Sequence, residues 1–136
     1  MENEDKMYAE MPITVHSYDV DFMNIVNNTV YVKWLEDLRM AILDKYLPLT
    51  DMLKEGNSPI LMETTIQYKR PVSFDSHPVG KCWIWMVSKG RWVAEHVIEE
   101  DGKVYATARQ TGYYYNIERK RPVSFPEAIL EKYMEK

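Results

Sequence analysis

The chain has 136 residues, 46% of them hydrophobic, and a formal net charge of −4. That length fits one domain spanning residues 1–136, because two would each be too small to bury an adequate core, and the apolar share lies far above a disordered composition. The acidic balance argues against a nucleic-acid binder, which usually carries a basic excess, and no apolar run approaches the roughly 18 residues that a membrane span needs. The opening MENEDKMYAE is acidic and polar, so no secretory leader is expected. Cys82 is the single cysteine, which rules out an internal disulfide and suits a reducing, cytoplasmic location. It lies in an alternating apolar run and reads as buried filler.

In chain order, Met11 to Tyr18 predicts a short strand, with β-branched Ile13, Thr14 and Val15 after a proline. Asp19 to Asn28 then has loop chemistry, with two aspartates and three asparagines. A helix is expected just after Asn27 or Asn28, either of which can cap it. Tyr31, Trp34, Leu35, Leu38, Ala41, Ile42 and Tyr46 fall at the spacing of one buried helical face. Pro48 ends that helix, and Thr50 to Glu55 suggests one further turn.

From Ile60 the period shortens to about 2, placing Ile60, Met62, Thr64, Ile66 and Tyr68 on one side of a strand. Lys81 to Ser88 (with WIWMV), Arg91 to Glu99 and Lys103 to Asn116 follow as strands. Lys89-Gly90 and Asp101-Gly102 are the turns between them. Gly112 marks a bulge or a close approach. Ser124 to Glu127 has capping-box spacing before a helix that runs to the end. Successive strands without intervening helices make the class α+β. Five antiparallel strands can curl around the one long helix. The exposed edge and face predict pairing with a second copy.

The stretch from Asp19 to Arg39 resembles the hotdog-fold thioesterases, both the 4-hydroxybenzoyl-CoA thioesterase-like and the acyl-ACP thioesterase-like branches. The matching elements are Asp19 and Asp21, Val26, Asn27 and Asn28, Tyr31, Trp34, and Glu36 with Arg39. Tyr68 to Val72 (YKRPV) and the strand DGKVYATARQ follow in the family's order. The resemblance implies a hotdog fold, one central helix wrapped by a curved five-stranded sheet, in a homodimer or homotetramer. It implies hydrolysis of an acyl-CoA or acyl carrier protein thioester with no cofactor and no metal. Asp21 would be nucleophile or general base, and a backbone N–H near Asn28 the oxyanion donor. Such a division of labour is chemically sound, since free amides at a helix start stabilise an oxyanion while a carboxylate activates water or attacks. Ile25, Val26, Asn27 and Tyr31 would line the substrate site.

Some elements of the family are missing. The plant acyl-ACP enzymes carry an asparagine two residues, and a histidine four residues, after the aspartate, where this chain has Met23 and Ile25. Asn24 replaces a frequent glycine. These departures leave room for a second reading, a non-catalytic acyl-thioester-binding module. A dehydratase would want a histidine base, for which only His16 is placed. Without the motif, Asp21 reads as a solvated or capping acid and Glu36 with Arg39 as a solvated helical pair at i, i+3. In the context of the resemblance that pair is expected to hold the helix against the sheet or the partner subunit. KRPVSF occurs twice, at Lys69 to Phe74 and Lys120 to Phe125. Lys69 and Arg70 suit the phosphates of coenzyme A, although solvated strand ends explain such pairs equally well. WIWMV and the Tyr113 to Tyr115 run are expected to help form the acyl pocket and the dimer contact. The scattered histidines offer no metal-ligand spacing.

Overall fold

The computed structural model describes residues 6–133. The elements are β1 (Tyr8–Pro12), α1 (Tyr31–Tyr46), α2 (Leu49–Lys54), β2 (Asn57–Tyr68), β3 (Val79–Ser88), β4 (Arg91–Glu100), β5 (Lys103–Asn116), β6 (Arg121–Pro122) and α3 (Glu127–Tyr133). Single 3₁₀ turns at Ser17–Asp19 and Asn28–Val30 flank the loop before α1. The sheet is antiparallel throughout, in the order β1-β3-β4-β5-β2, with β6 paired to β5. It curls around α1, the hotdog arrangement. Tyr31, Trp34, Leu35, Leu38 and Ile42 of α1 are buried, which is the face its periodicity predicted.

The two hairpin turns behave as their residues dictate. Asp101 (φ 49°) and Gly102 (φ 81°) both occupy the left-handed region, as a two-residue hairpin matched to strand twist requires. Lys89 does so in the β3–β4 turn. Gly112 is a point of close approach: a Cβ there would overlap the Ile60 carbonyl and the Trp92 ring.

Three expectations need correction. The first strand lies at Tyr8–Pro12, not Met11 to Tyr18. Its partner β3 begins at Val79, and Pro12 pairs with Val79 at the end of the ladder. One more bond, from the Ile13 amide to the Pro78 carbonyl, closes the contact, and Pro78 has no amide to extend it. In β2 a bulge between Leu61 and Glu63 breaks the alternation. Leu61, still 44% exposed, stands opposite Gly112 and lines a cavity beside α1, and Thr64 stands opposite Gln110, while Ile60 is opposite Tyr113. Met62 stands exposed. β2 pairs with β5 rather than with β3, its neighbour in sequence. Lastly, no hydrogen bond joins Ser124 to Glu127 among the described residues; the Pro126 carbonyl accepts from Ile129 and Leu130 instead. Residues 134–136, the expected end of that helix, lie outside the described residues.

Candidate active site

The loop between the two 3₁₀ turns folds back on itself. Val20 and Val26 form an antiparallel bridge, with the Asp21 amide on the Ile25 carbonyl (3.1 Å) and the Asn27 amide on the Asp19 carbonyl (3.0 Å). Asn24 takes the left-handed conformation (φ 60°) at the tip, the role a glycine would fill. Asp21 is exposed, and its Oδ1 accepts from the amides of Met23 (2.8 Å) and Ile25 (3.2 Å). Its Oδ2 has no hydrogen-bond partner among the described residues. The carboxylate is thus oriented through one oxygen and open at the other. Asp19 is buried and accepts from the His16 amide at 2.9 Å, so it shapes the loop. His16 is exposed and stacks on Tyr18, ring centroids 4.9 Å apart.

Asn27 caps the helical start, its Oδ1 accepting from the Thr29 amide (2.9 Å) and hydroxyl (2.8 Å). The Asn28 carbonyl accepts from the Tyr68 hydroxyl at 3.2 Å. The Asn28 amide, first in its turn, makes no hydrogen bond among the described residues. No hydrogen bond joins Asp21 to Asn27 or Asn28 there. Asp21 lies on the turn side of the Val20–Val26 bridge and Asn28 on its helix side.

Val26 is fully buried and donates to the Val72 carbonyl at 2.8 Å, which ties the loop to the first KRPVSF segment. Ile25 is exposed. Tyr31 is buried beneath the loop, against Trp34 and edge-on to Tyr68, both at 4.9 Å. Burial, with Tyr68 beside it, pushes the Tyr31 phenol up to about 12, so it stays protonated. The exposed Lys69 and Arg70 follow Tyr68, and both their amides bond the Tyr105 carbonyl. Tyr68 was expected only as the aromatic that opens YKRPV, with no site role. Its aromatic ring just before Lys-Arg-Pro was the available signal, and its contact with Asn28 exists only once β2 lies beside the start of α1.

A mainly apolar cavity lies elsewhere. It holds about 170 Å³ between α1, α2 and the early part of β2, lined by Met40, Leu43, Leu47, Met52, Leu61 and Trp92. Of the WIWMV run, Ile84 and Val87 line it and Trp83 and Trp85 do not. Trp85 is exposed, with the Arg109 guanidinium over its ring at 4.9 Å. Of the tyrosine run, Tyr114 is buried and stacks on Phe125.

A buried polar cluster, also unforeseen, borders this cavity. Gln110 Oε1 accepts from Arg39 Nη1 (2.9 Å) and contacts His96 Nε2 (2.9 Å), while its Nε2 donates to the Thr64 hydroxyl (3.0 Å). With an acceptor opposite, the network assigns the His96 proton to Nε2. His96 Nδ1 is buried with no partner. Burial lowers the His96 pKa to about 4 and raises that of Cys82, fully buried beside it, to about 12. Arg39 therefore pins the helix to β5, the structural role expected of it. Among the described residues no group of three His, Cys, Asp or Glu side chains could hold a metal ion. No helix there is long and apolar enough to cross a membrane.

Residues 15–133 match the model of the thioesterase-like superfamily, and the chain belongs to that family. It is 26% identical over 123 residues to YneP of Bacillus subtilis, a candidate acyl-CoA thioesterase, covering 89% of each chain. It is 23% identical over 129 residues to the chloroplastic acyl-acyl carrier protein thioesterase ATL3 of Arabidopsis thaliana, covering 93% of this chain and 68% of that one. A thioesterase from Thermus thermophilus, solved with coenzyme A and Zn, superposes with a TM-score of 0.79 at 23% identity, covering 96% of this chain and 93% of that one.

Proposed function

We propose that this protein, as one domain, hydrolyses an acyl thioester, with Asp21 as nucleophile or general base and the Asn28 amide as oxyanion donor. The observation that carries the reading is that one short loop holds both a half-satisfied carboxylate and a free amide at a helix start. Asp21 Oδ1 is held by two backbone amides while Oδ2 is open, and the Asn28 N–H has no partner among the described residues. A carbonyl seated between them would meet a base or nucleophile on one side and a donor on the other. Tyr68 supports the donor by holding the Asn28 carbonyl. The exposed Lys69 and Arg70 beyond it suit the phosphates of coenzyme A. Relatives named as acyl-CoA and acyl carrier protein thioesterases support both thiol carriers; the basic pair favours the CoA ester.

Asp21, Phe22, Met23 and Ile25 are all exposed around the loop tip. An apolar rim of that kind around a reactive carboxylate favours a homodimer whose second copy shields the site.

The test is thiol release from a panel of acyl-CoAs, wild type against Asp21→Asn. Asparagine can still accept from Met23 and Ile25, so the loop should keep its shape. A loss of about a hundredfold or more in kcat is expected. Equal rates for the two proteins would remove Asp21 from the chemistry. A wild type that binds but never cleaves would support the acyl-binding alternative.

A further inference from the structure

We propose that the cavity between α1, α2 and β2 receives the distal part of an aliphatic acyl chain, and that Arg39 there recognises an uncharged oxygen, hydroxyl or keto, on that chain. The inference deepens the thioesterase reading above and rests on it. The cavity, about 170 Å³, matches in size the engineered apolar cavities of about 150 Å³ that stay dry and bind benzene. That is room for roughly six carbons. Its walls include Met7, Met40 and Met52, side chains that adapt to a flexible ligand.

Two charged residues, Arg39 and Glu36, also line this apolar space. Arg39 is half-buried and makes one hydrogen bond, to Gln110, and no ion pair among the described residues. A guanidinium has five N–H donors, and those Arg39 does not spend on Gln110 are not buried, so they can turn to water or to a ligand. The bond to Gln110 holds one arm of the fork against the sheet and leaves the others for a ligand acceptor. Glu36 is exposed at the same opening. Its negative charge would repel a carboxylate, whereas a neutral oxygen meets no such barrier. A hydroxyl could also donate to Glu36.

The spacing fixes how far along the chain that oxygen lies. From Asn28 to Arg39 the helical rise is about 17 Å, and an arginine side chain that leans back toward the N-terminus recovers roughly 6 Å of it. The strand gives a somewhat longer span, about 14 Å against about 11 Å. Tyr68 touches Asn28 and Thr64 joins the Arg39 cluster, four residues apart at about 3.4 Å each. An extended chain advances roughly 1.2 Å per bond, so the oxygen sits about nine or more bonds from the thioester. A single aromatic ring is too short to bring a phenol there.

The experiment compares two aliphatic acyl-CoAs of equal length, one plain and one with a hydroxyl about ten carbons from the thioester. Hydrolysis by wild type and Arg39→Met is measured, and binding of the two free acids is followed by calorimetry. The wild type should favour the hydroxylated chain about tenfold or more in kcat/KM and in acid affinity, and Arg39→Met should lose that preference by gaining on the plain chain. Equal treatment of both chains by the wild type, or an equal loss on both in the variant, would overturn the proposal. If no thioester is cleaved, the hydrolase reading fails and the calorimetric preference still decides this one. Should Arg39→Met not fold, the wild-type comparison and Arg39→Lys decide it.

Discussion

Gln110 is the keystone of the buried polar cluster, and Gln110→Leu removes it with little change in volume. The wild-type side chain is about 1% exposed and bonds three partners. Leucine would strand the His96 Nε2–H, whose other neighbour is only the Cys82 sulfur at 3.9 Å. A buried donor left unsatisfied costs about 1–3 kcal/mol. The bond to Arg39 is charge-assisted, but Arg39 is half-buried and water reaches it, so its share is smaller. Leucine's better apolar packing offsets part of the loss. The expected net is about 2 kcal/mol, a fall in Tm of roughly 7 °C for a chain of this size. Urea melts give the free energy directly. Replacing both partners with apolar groups removes the stranded atoms, so His96→Leu/Gln110→Leu should recover most of the loss. A loss in Gln110→Leu below about 0.5 kcal/mol, or a double variant equal to the sum of the singles, would refute this account of the cluster. The same histidine sets a pH signature. Its folded pKa, about 4, lies below the ordinary 6.5, so between those values the unfolded chain takes up a proton that the folded chain refuses. Stability should therefore fall as pH drops from about 6.5 to about 4, by about 3 kcal/mol in total, and the double variant should lack that component.

Two further outcomes are expected. Gly112→Ala places a methyl group on the Ile60 carbonyl and the Trp92 ring, so it should cost about 3 kcal/mol or more; a melting curve like the wild type's would mean that β2 and β5 separate easily there. Cys82 is fully buried with its thiol pushed up to about 12, so a thiol-reactive dye should label the protein only after denaturant is added. Labelling of the native protein would contradict the packing of β3 against α1.

Local chemistry made much of this fold readable. The α1 stripe, the Asp101-Gly102 turn and the bounds of β5 each depend on a few neighbouring residues, and each appears as expected. The Asp19 to Asn28 loop was partly legible for the same reason, since Asp21 and Asn27 act on backbone groups within four residues of themselves, whereas the Asn24 side chain accepts from the distant Phe74 amide. What failed was whatever needed a partner. The first strand ends at Pro12 although Ile13 to Val15 are good strand residues, because β3 offers them no further ladder. The inward face of β2 changes at Met62 because β5 has one residue fewer across from it.

The sequence by itself determined the helix, the hairpins and a loop with an oriented carboxylate before a helix start, since these follow from short-range sterics and hydrogen bonds. Only the tertiary structure decided that β2 crosses to the far edge beside β5, and that crossing carries the rest. It sets Tyr68 on Asn28, joins Thr64 to Gln110 and through it to Arg39, and leaves the cavity between β2 and the two helices. Side-chain contacts between residues 40 to 71 positions apart are chosen by how whole surfaces pack, and no local pattern in the chain encodes that choice.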